Sequence, residues 1–355
     1  MRRFGLDADS TRDSWLMDPA PASIQAPETI ELSVIIQTRN RVGILMETLA
    51  RLIEQETKNR FEVVVVDDGS TDATVASARS LAEPAPVPIT VLQHDARGPA
   101  AASYAGIAAA RGSACLFMGD DTWPQADLVD RHGRWHRLRP EPEMALLGHV
   151  EWAAASRPTA LMDWLNSSLQ FDFDQIDDPD NVRGSCFYTA NVSAKRSFLL
   201  ANGGFDEGFP HAALEDIELG LRLERAGLRL VCDAAAVVEH FHPCDLPASL
   251  RRMRTLGRSV VILHERVPEW PLPRRPAARH RAKAAVLTAL NTVPRARPRL
   301  VRHAIWHFLC HEAFREACWG VEPRAGRALR LGAVLARLAA RDPATRTPAA
   351  DRIWR

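Results

Sequence analysis

The chain has 355 residues, enough for one large domain or two ordinary ones. Its 45 basic and 44 acidic residues leave a formal charge of +1, and 46% of the residues are hydrophobic. That mix excludes a mainly disordered protein and gives no case for nucleic-acid binding, which usually leaves a basic excess. Only Lys58, Lys195 and Lys283 are lysines, so a single arginine carries little information here. The six cysteines form no CxxC pair and read as buried or incidental thiols of a reducing compartment. Met1-Arg2-Arg3 leads into Asp7, Asp9 and Asp13 rather than an apolar core, so no secretory signal is expected. No apolar run approaches the ~20 residues of a membrane-spanning helix. The expectation is a cytoplasmic protein, with peripheral attachment at the inner face of the membrane left open.

Residues 1–29 are polar, broken by Pro19, Pro21 and Pro27, and read as a loose arm. A repeating rhythm then begins. Leu32–Ile36 is a β-rich run, and residues 41–55 place Leu45, Leu49 and Leu52 at helical spacing. Phe61–Val66 is a second strand and 72–82 a second helix. Val87–Leu92 is a third strand, 99–111 an Ala-rich helix, and Ala114–Met118 a fourth strand. Apolar strands separated by helices argue a parallel sheet covered on both faces. In such a sheet ligands sit beyond the carboxyl ends of the strands. Thr38-Arg39-Asn40, Asp67-Asp68-Gly69-Ser70 and Gly119-Asp120-Asp121 all fall there. Further on, 125–139 reads as helix, Ala145–Trp152 as extended, 156–182 as irregular structure around a cleft, 213–227 as an amphipathic helix and 229–239 as one or two strands. From 246 onward the chain reads as mostly helical, with Trp306, Phe308, Phe314 and Trp319 as packing anchors. Between Arg274 and Arg302 lie nine Arg or Lys and no acid, a tract suited either to an anionic membrane surface or to plain solvation.

Four constellations carry chemistry. Asp67-Asp68-Gly69-Ser70-Thr71-Asp72 joins a strand to a helix. Gly69 permits a tight turn, Ser70 or Asp72 can cap the helix, and the two leading acids can accept from a base N–H or a ribose hydroxyl. Neither GxGxxG nor GxxxxGK[ST] occurs, which argues against dehydrogenases and ATPases. Gly119-Asp120-Asp121 ends a buried strand with adjacent acids that repel unless neutralised, and Mg²⁺ or Mn²⁺ would resolve the conflict while bridging to a diphosphate. Glu215-Asp216-Ile217-Glu218 opens a helix. Such acids can favour the helix N-terminus, Glu218 can pair with Arg222, and Asp216 points elsewhere, free to act as a general base. In Glu239-His240-Phe241-His242-Pro243 the two histidines share one side of an extended segment, and either can complete an acid-rich cation site.

These pieces together resemble a family 2 glycosyltransferase. The matching runs are SVIIQTRNR (33–41), VVVVDDGSTD (63–72), ARGPAAASYAGIAAARG (96–112), FMGDDTWP (117–124), FYTANVSAKR (187–196), GGFDEGF (203–209), EDIELGLRLERAG (215–227) and EHFHP (239–243). The resemblance implies the GT-A fold, an α/β nucleotide-diphospho-sugar transferase architecture with a Rossmann-like mixed sheet flanked by helices. It implies a catalytic domain over 30–245 and leaves 246–355 as a helical C-terminal region. The implied donor is a nucleotide-diphospho-sugar, UDP-linked by family habit. The implied acceptor is a glycan, lipid-linked or small-molecule hydroxyl. Thr38, Arg39, Asp67, Asp68, Arg97, Asp120 and Asn191 are assigned to the donor, and Asp216 is assigned as base with Glu215 beside it. Asp121, His240 and His242 are assigned to Mg²⁺ or Mn²⁺. Gly119 departs from the family's usual Asp, which leaves a non-catalytic nucleotide-sugar or glycan-binding module as the rival reading.

Overall fold

The computed structural model describes residues 29–166, 170–171, 173–275, 283–284, 286–288 and 299–320. The expected arm over 1–29, its last residue aside, and most of the basic tract 274–302 lie outside the described residues. Eight strands form one sheet: β1 (Leu32–Thr38), β2 (Phe61–Asp67), β3 (Ile89–Gln93), β4 (Ala114–Gly119), β5 (Thr122–Pro124), β6 (Met144–Trp152), β7 (Asn191–Lys195) and β8 (Arg229–His240). Their spatial order is β3-β2-β1-β4-β7-β6-β8-β5.

Alternation along each strand divides the core into two layers, as a period of two requires. Leu32, Val34, Ile36, Val63, Val65, Leu116 and Met118 face one side. There they meet Leu45, Leu49 and Leu52 of α1 (Val42–Ile53), Ala78 of α2 (Thr74–Ala82), and Leu128 and Val129 of α4 (Leu128–Leu138). Ile35, Val64, Val66, Cys115 and Phe117 face the other side. Their partners are Ala100, Ala102 and Ile107 of α3 (Pro99–Ala109), Leu199 of α6 (Arg196–Ala201), and Leu219 and Leu223 of α7 (Glu215–Arg225). Each fully buried Val, Leu or Ile contributes about 1.5–3 kcal/mol of transfer free energy, so the two layers hold the strand ends in fixed register.

The sheet is mixed rather than wholly parallel. β1, β2, β3 and β4 pair in parallel, and β6 pairs in parallel with β8. β7 runs against both β4 and β6, and β5 runs against β8. The reason is visible in the connection between β6 and β7. It begins at the carboxyl edge of the sheet and, among the described residues, holds α5 (Ala160–Asn166) and short single turns with no long helix returning to the opposite edge. β7 therefore starts where β6 stopped and runs back. The stretch 156–182, read as irregular, thus contains one true helix. The expected strand over 229–239 is a single strand whose pairing with β6 jumps from Gly148–Asp233 to His149–Val237.

Beyond the sheet, α8 (Leu246–Arg266) packs against α9 (Arg299–Cys318). Trp164 of α5, Met253 of α8 and Trp306 of α9 share an apolar cluster there. Asp245 caps α8 by accepting from the Ala248 N–H at 2.8 Å. Trp319 donates to the Pro273 carbonyl at 2.9 Å, with Arg275 over its ring. No helix among the described residues is long and apolar enough to cross a membrane.

Candidate active site

Three parallel strands deliver their last residues to one edge: Thr38 from β1, Asp67 from β2 and Gly119 from β4. β1 lies between β2 and β4, so the chain switches direction across the sheet at this point, where a crevice opens beyond the strand ends. β8 runs in the same sense and brings His240 to the same edge.

The loops after β1 and β2 are stitched together. Asn40 N donates to Ser70 Oγ at 2.7 Å, and Thr71 N donates to Asn40 Oδ1 at 2.8 Å. Asp72 Oδ1 accepts from Thr74 N at 3.0 Å at the start of α2. Those bonds hold residues 70–72 in a turn, so the helix begins two residues later than its sequence pattern suggests. Gly69 sits at φ +78, and a Cβ there would lie 2.9 Å from the Ala96 Cβ, so both conformation and space require glycine. Asp67 Oδ2 accepts from Ser70 N at 2.9 Å, while Oδ1 is buried with no partner among the described residues. Asp68 Oδ1 accepts from Gly98 N at 2.9 Å, and Arg39 approaches its other oxygen at 3.9 Å. Arg97, next to Gly98, pairs with Glu207 across the neighbouring loop.

At the end of β4 the two acids have separate partners. Asp120 Oδ2 accepts from Thr38 Oγ1 at 2.7 Å, and its Oδ1 lies 2.9 Å from Arg41 Nη1. Asp121 Oδ2 lies 2.8 Å from Arg41 Nη2, 3.3 Å from His240 Nε2 and 3.2 Å from His242 Nδ1. Burial pushes both carboxyls upward. For Asp120 burial prevails against Arg41, and the pKa rises to about 6. For Asp121 the hydrogen bonds from His240 and His242, together with Arg41, outweigh burial and hold the group well below the usual carboxylate range. A Cβ on Gly119 would lie 2.8 Å from Asp121 Oδ1, so the departure at 119 gives Asp121 room to fold back.

The ladder between β5 and β8 explains the meeting of Asp121 with the two histidines. Thr122 pairs with His240, and Phe241 N donates to the Asp121 carbonyl at 2.8 Å. Trp123 stacks on Phe241 at 4.5 Å, and Trp152 stacks on His240 at 5.2 Å. Gln170 Nε2 lies 3.1 Å from His240 Nδ1. Asp121, His240 and His242 each offer one ligand atom, all within 4.8 Å of one another. One carboxylate and two imidazoles fit Mn²⁺ better than Mg²⁺, because imidazole suits transition ions while Mg²⁺ takes chiefly oxygen.

Asp216 stands at the same edge. Its carboxylate accepts from Ile217 N at 2.8 Å and from the backbone of Thr189. Thr189 precedes Asn191, which pairs with Met118 of β4, two residues before Asp120. Burial raises the Asp216 pKa against those two backbone donors and Arg252. Glu215 is more deeply placed, with Oε2 buried and without a partner among the described residues, and burial together with the Asp216 charge pushes it up to about 8. Glu218 is taken by Arg222 in a two-pronged pair at 2.9 and 2.8 Å, as the i, i+4 spacing predicts.

Asn191, which the resemblance assigns to the donor, opens β7. It is fully buried, and its amide donates to the carbonyls of His149 at 3.0 Å and Ala236 at 2.8 Å. Its Oδ1 lies 3.1 Å from His132 Nε2. Every polar atom of the side chain is thus engaged where β6 and β8 change register. Arg41, which bridges both acids, carries no local signal that sets it apart from Thr38 and Arg39. A depression between α1 and α2, lined by Met46, Ala76, Ser77, Ser80 and Leu81, holds no titratable side chain.

Residues 33–134 match the family described as Glycosyl transferase family 2. The Pre-mycofactocin glycosyltransferase of Mycobacterium tuberculosis is 30% identical over 264 residues, covering 74% of this chain and 53% of its own length. The Validoxylamine A glucosyltransferase of Streptomyces hygroscopicus is 32% identical over 231 residues, 56% of this chain and 52% of its own. An uncharacterised glycosyltransferase of Bacillus subtilis, YfnE, is 29% identical over 261 residues, 61% of this chain and 66% of its own. The chain thus spans between about half and two thirds of the length of these relatives. The structure of S. aureus TarS in complex with UDP superposes with a TM-score of 0.50 at 16% identity, covering 81% of this chain and 90% of that one. The fold is that of the GT-A glycosyltransferases. Over residues 33–134 the chain carries the glycosyl transferase family 2 match, and the relatives at 30% and 32% identity are glycosyltransferases.

Proposed function

We propose that the protein transfers a sugar from a nucleotide-diphospho-sugar, UDP-linked, to a hydroxyl acceptor with inversion at the anomeric carbon. This reading is supported by the Asp121–His240–His242 cluster and by Asp216, whose carboxylate accepts from the Thr189 backbone just before β7. Asp67 and Asp68 lie at the end of β2, where the Asp67 Oδ1 can receive a base or ribose donor. Thr38, Arg39, Arg97 and Asp120 border the same crevice. Asn191 supports it from beneath. Asp121, His240 and His242 would hold Mn²⁺ or Mg²⁺, which when bound offsets negative charge on the departing diphosphate.

Asp216 takes the proton from the acceptor hydroxyl as its oxygen attacks the anomeric carbon. Its raised pKa suits that task, since a carboxylate closer to neutral pH is a stronger base. Two backbone N–H donors fix its orientation. Glu215 keeps its proton near neutral pH and so adds no second charge beside the base. Direct displacement needs no covalent nucleophile. The acceptor is a glycan, a lipid-linked hydroxyl or a small molecule. Nine basic residues without an acid over 274–302 support contact with an anionic membrane face on the cytoplasmic side.

The test is sugar transfer by Asp216→Asn, with folding checked by its melting curve. Loss of the general base lowers kcat by at least about a hundredfold. Turnover near that of the parent enzyme removes Asp216 from the role of base.

A further inference from the structure

Arg41 holds a position that the transfer reading leaves unexplained. It is the N-cap residue of α1, and its backbone is fixed because its N–H donates to Thr74 Oγ1 at 3.2 Å and its carbonyl accepts from Leu45 N at 3.0 Å. The guanidinium is free to be shared. One nitrogen sits 2.9 Å from Asp120 Oδ1 and the other 2.8 Å from Asp121 Oδ2. The second of these oxygens is also the one that faces His240 and His242. A divalent cation and the Arg41 fork therefore require the same lone pairs. Roughly a third of the Arg41 side chain remains exposed, so it has an open path along which to leave.

We propose that Arg41 is a positioning residue that occupies the carboxylates as an internal cation and, when a divalent ion takes Asp121, turns its fork onto the diphosphate of the donor. The proposal rests on the cation and donor reading above and adds an exchange to it. Adjacent acids at the end of a buried strand need a positive partner at all times. A planar guanidinium can supply it to two carboxylates at once, and the same fork fits two phosphate oxygens. The helix N-terminus beneath Arg41 favours the anion in the second state. In the second state the ion answers Asp121, and Asp120 keeps the Thr38 hydroxyl at 2.7 Å. The cost falls on the metal: a clamp closed about nine-tenths of the time weakens the apparent affinity about tenfold.

The experiment measures Mn²⁺ binding to the full chain by electron paramagnetic resonance without nucleotide, then UDP binding by calorimetry at saturating Mn²⁺. Arg41→Gln is expected to bind Mn²⁺ about tenfold more tightly and UDP about tenfold more weakly than the parent. Arg41→Lys keeps the charge but cannot grip both acids, so its Mn²⁺ affinity falls between the two. A residue that merely supported the fold would weaken both ligands together. Equal Mn²⁺ affinity in parent and Arg41→Gln, or an Arg41→Lys indistinguishable from the parent, overturns the exchange. Parallel loss of Mn²⁺ and UDP affinity also overturns it. Asp121→Asn separates this failure from that of the cation site itself: if Mn²⁺ binding survives that change undiminished, the ion lies elsewhere and the exchange falls with the site.

Discussion

Replacing Asn191 by alanine separates two roles that the sequence alone could not. Its side chain is fully buried and makes three hydrogen bonds, to His149 O, Ala236 O and His132 Nε2. Gly148 makes room for it, since a Cβ there would lie 2.2 Å from the amide nitrogen. Truncation leaves two carbonyls without their donor at a register shift and removes the acceptor of a buried imidazole. Each stranded carbonyl costs about 1–3 kcal/mol, and local relaxation brings the total to about 3 kcal/mol. Unfolding entropy of about 2 cal/mol/K per residue, over a cooperative unit of about 220 residues, converts that into a Tm loss of about 7 °C. Differential scanning calorimetry measures the melting, and Mn²⁺ affinity at 20 °C, expected within about twofold of the parent, shows whether the site survives. A Tm within about 1 °C of the parent combined with a lost donor interaction would refute this reasoning. Asn191 would then be a ligand contact rather than a tie between strands.

Two further outcomes follow from the same geometry. Glu215 is pushed up to about 8 by burial and by Asp216, against an ordinary value of 4.5, so the folded state binds more protons than the unfolded one between those values. Stability from this group is complete below pH 4.5 and is lost as pH rises through 8; Glu215→Gln should flatten that fall in Tm, and a parallel slope in both proteins excludes Glu215 as its source. Gly106 lies on α3 against β1, and an added Cβ would meet Ile35 Cγ2 at 2.4 Å. Gly106→Ala is therefore expected to destabilise by about 1–3 kcal/mol in urea melts despite its better helix propensity, and a gain in stability would show that the helix can shift freely off the sheet.

Much of this site was legible because its pieces sit at the ends of strongly apolar strands. Leu32–Ile36, Phe61–Val66 and Ala114–Met118 announce themselves by β-branched and apolar runs, and whatever polar residues follow must gather at one edge. The Glu218–Arg222 pair follows from helical spacing alone. The rest depends on contacts distant in sequence. Arg41 is one of 42 arginines, and the acids it bridges lie about 80 positions away, so local pattern gives it no distinction. The reversal at β7 depends on where a long connection begins and ends. Asn191 lies in a run that suggests ligand contact, yet its partners are carbonyls exposed by an irregular pairing of β6 with β8. The buried chain from His132 through Ser193 to His136, with contacts of 2.7 and 2.8 Å, has no local signature because α4 meets Ser193 of β7 about 60 positions away. Burial favours the neutral form of both imidazoles, lowering His132 to about 4 and holding His136 well below its ordinary value.

The three-residue strand β5 has a consequence for how the molecule matures. Asp121 enters the cluster from the first third of the chain, whereas both histidines arrive only after β8 has threaded beside β6 and closed on Thr122. The recognisable family segment ends at residue 134 and carries one of the three cluster members. A cation site built on all three residues would therefore be incomplete in any fragment that ends before His242. Completion of the cluster thus waits on the seating of β8 beside β6 and β5, which ties two distant parts of the chain to one another.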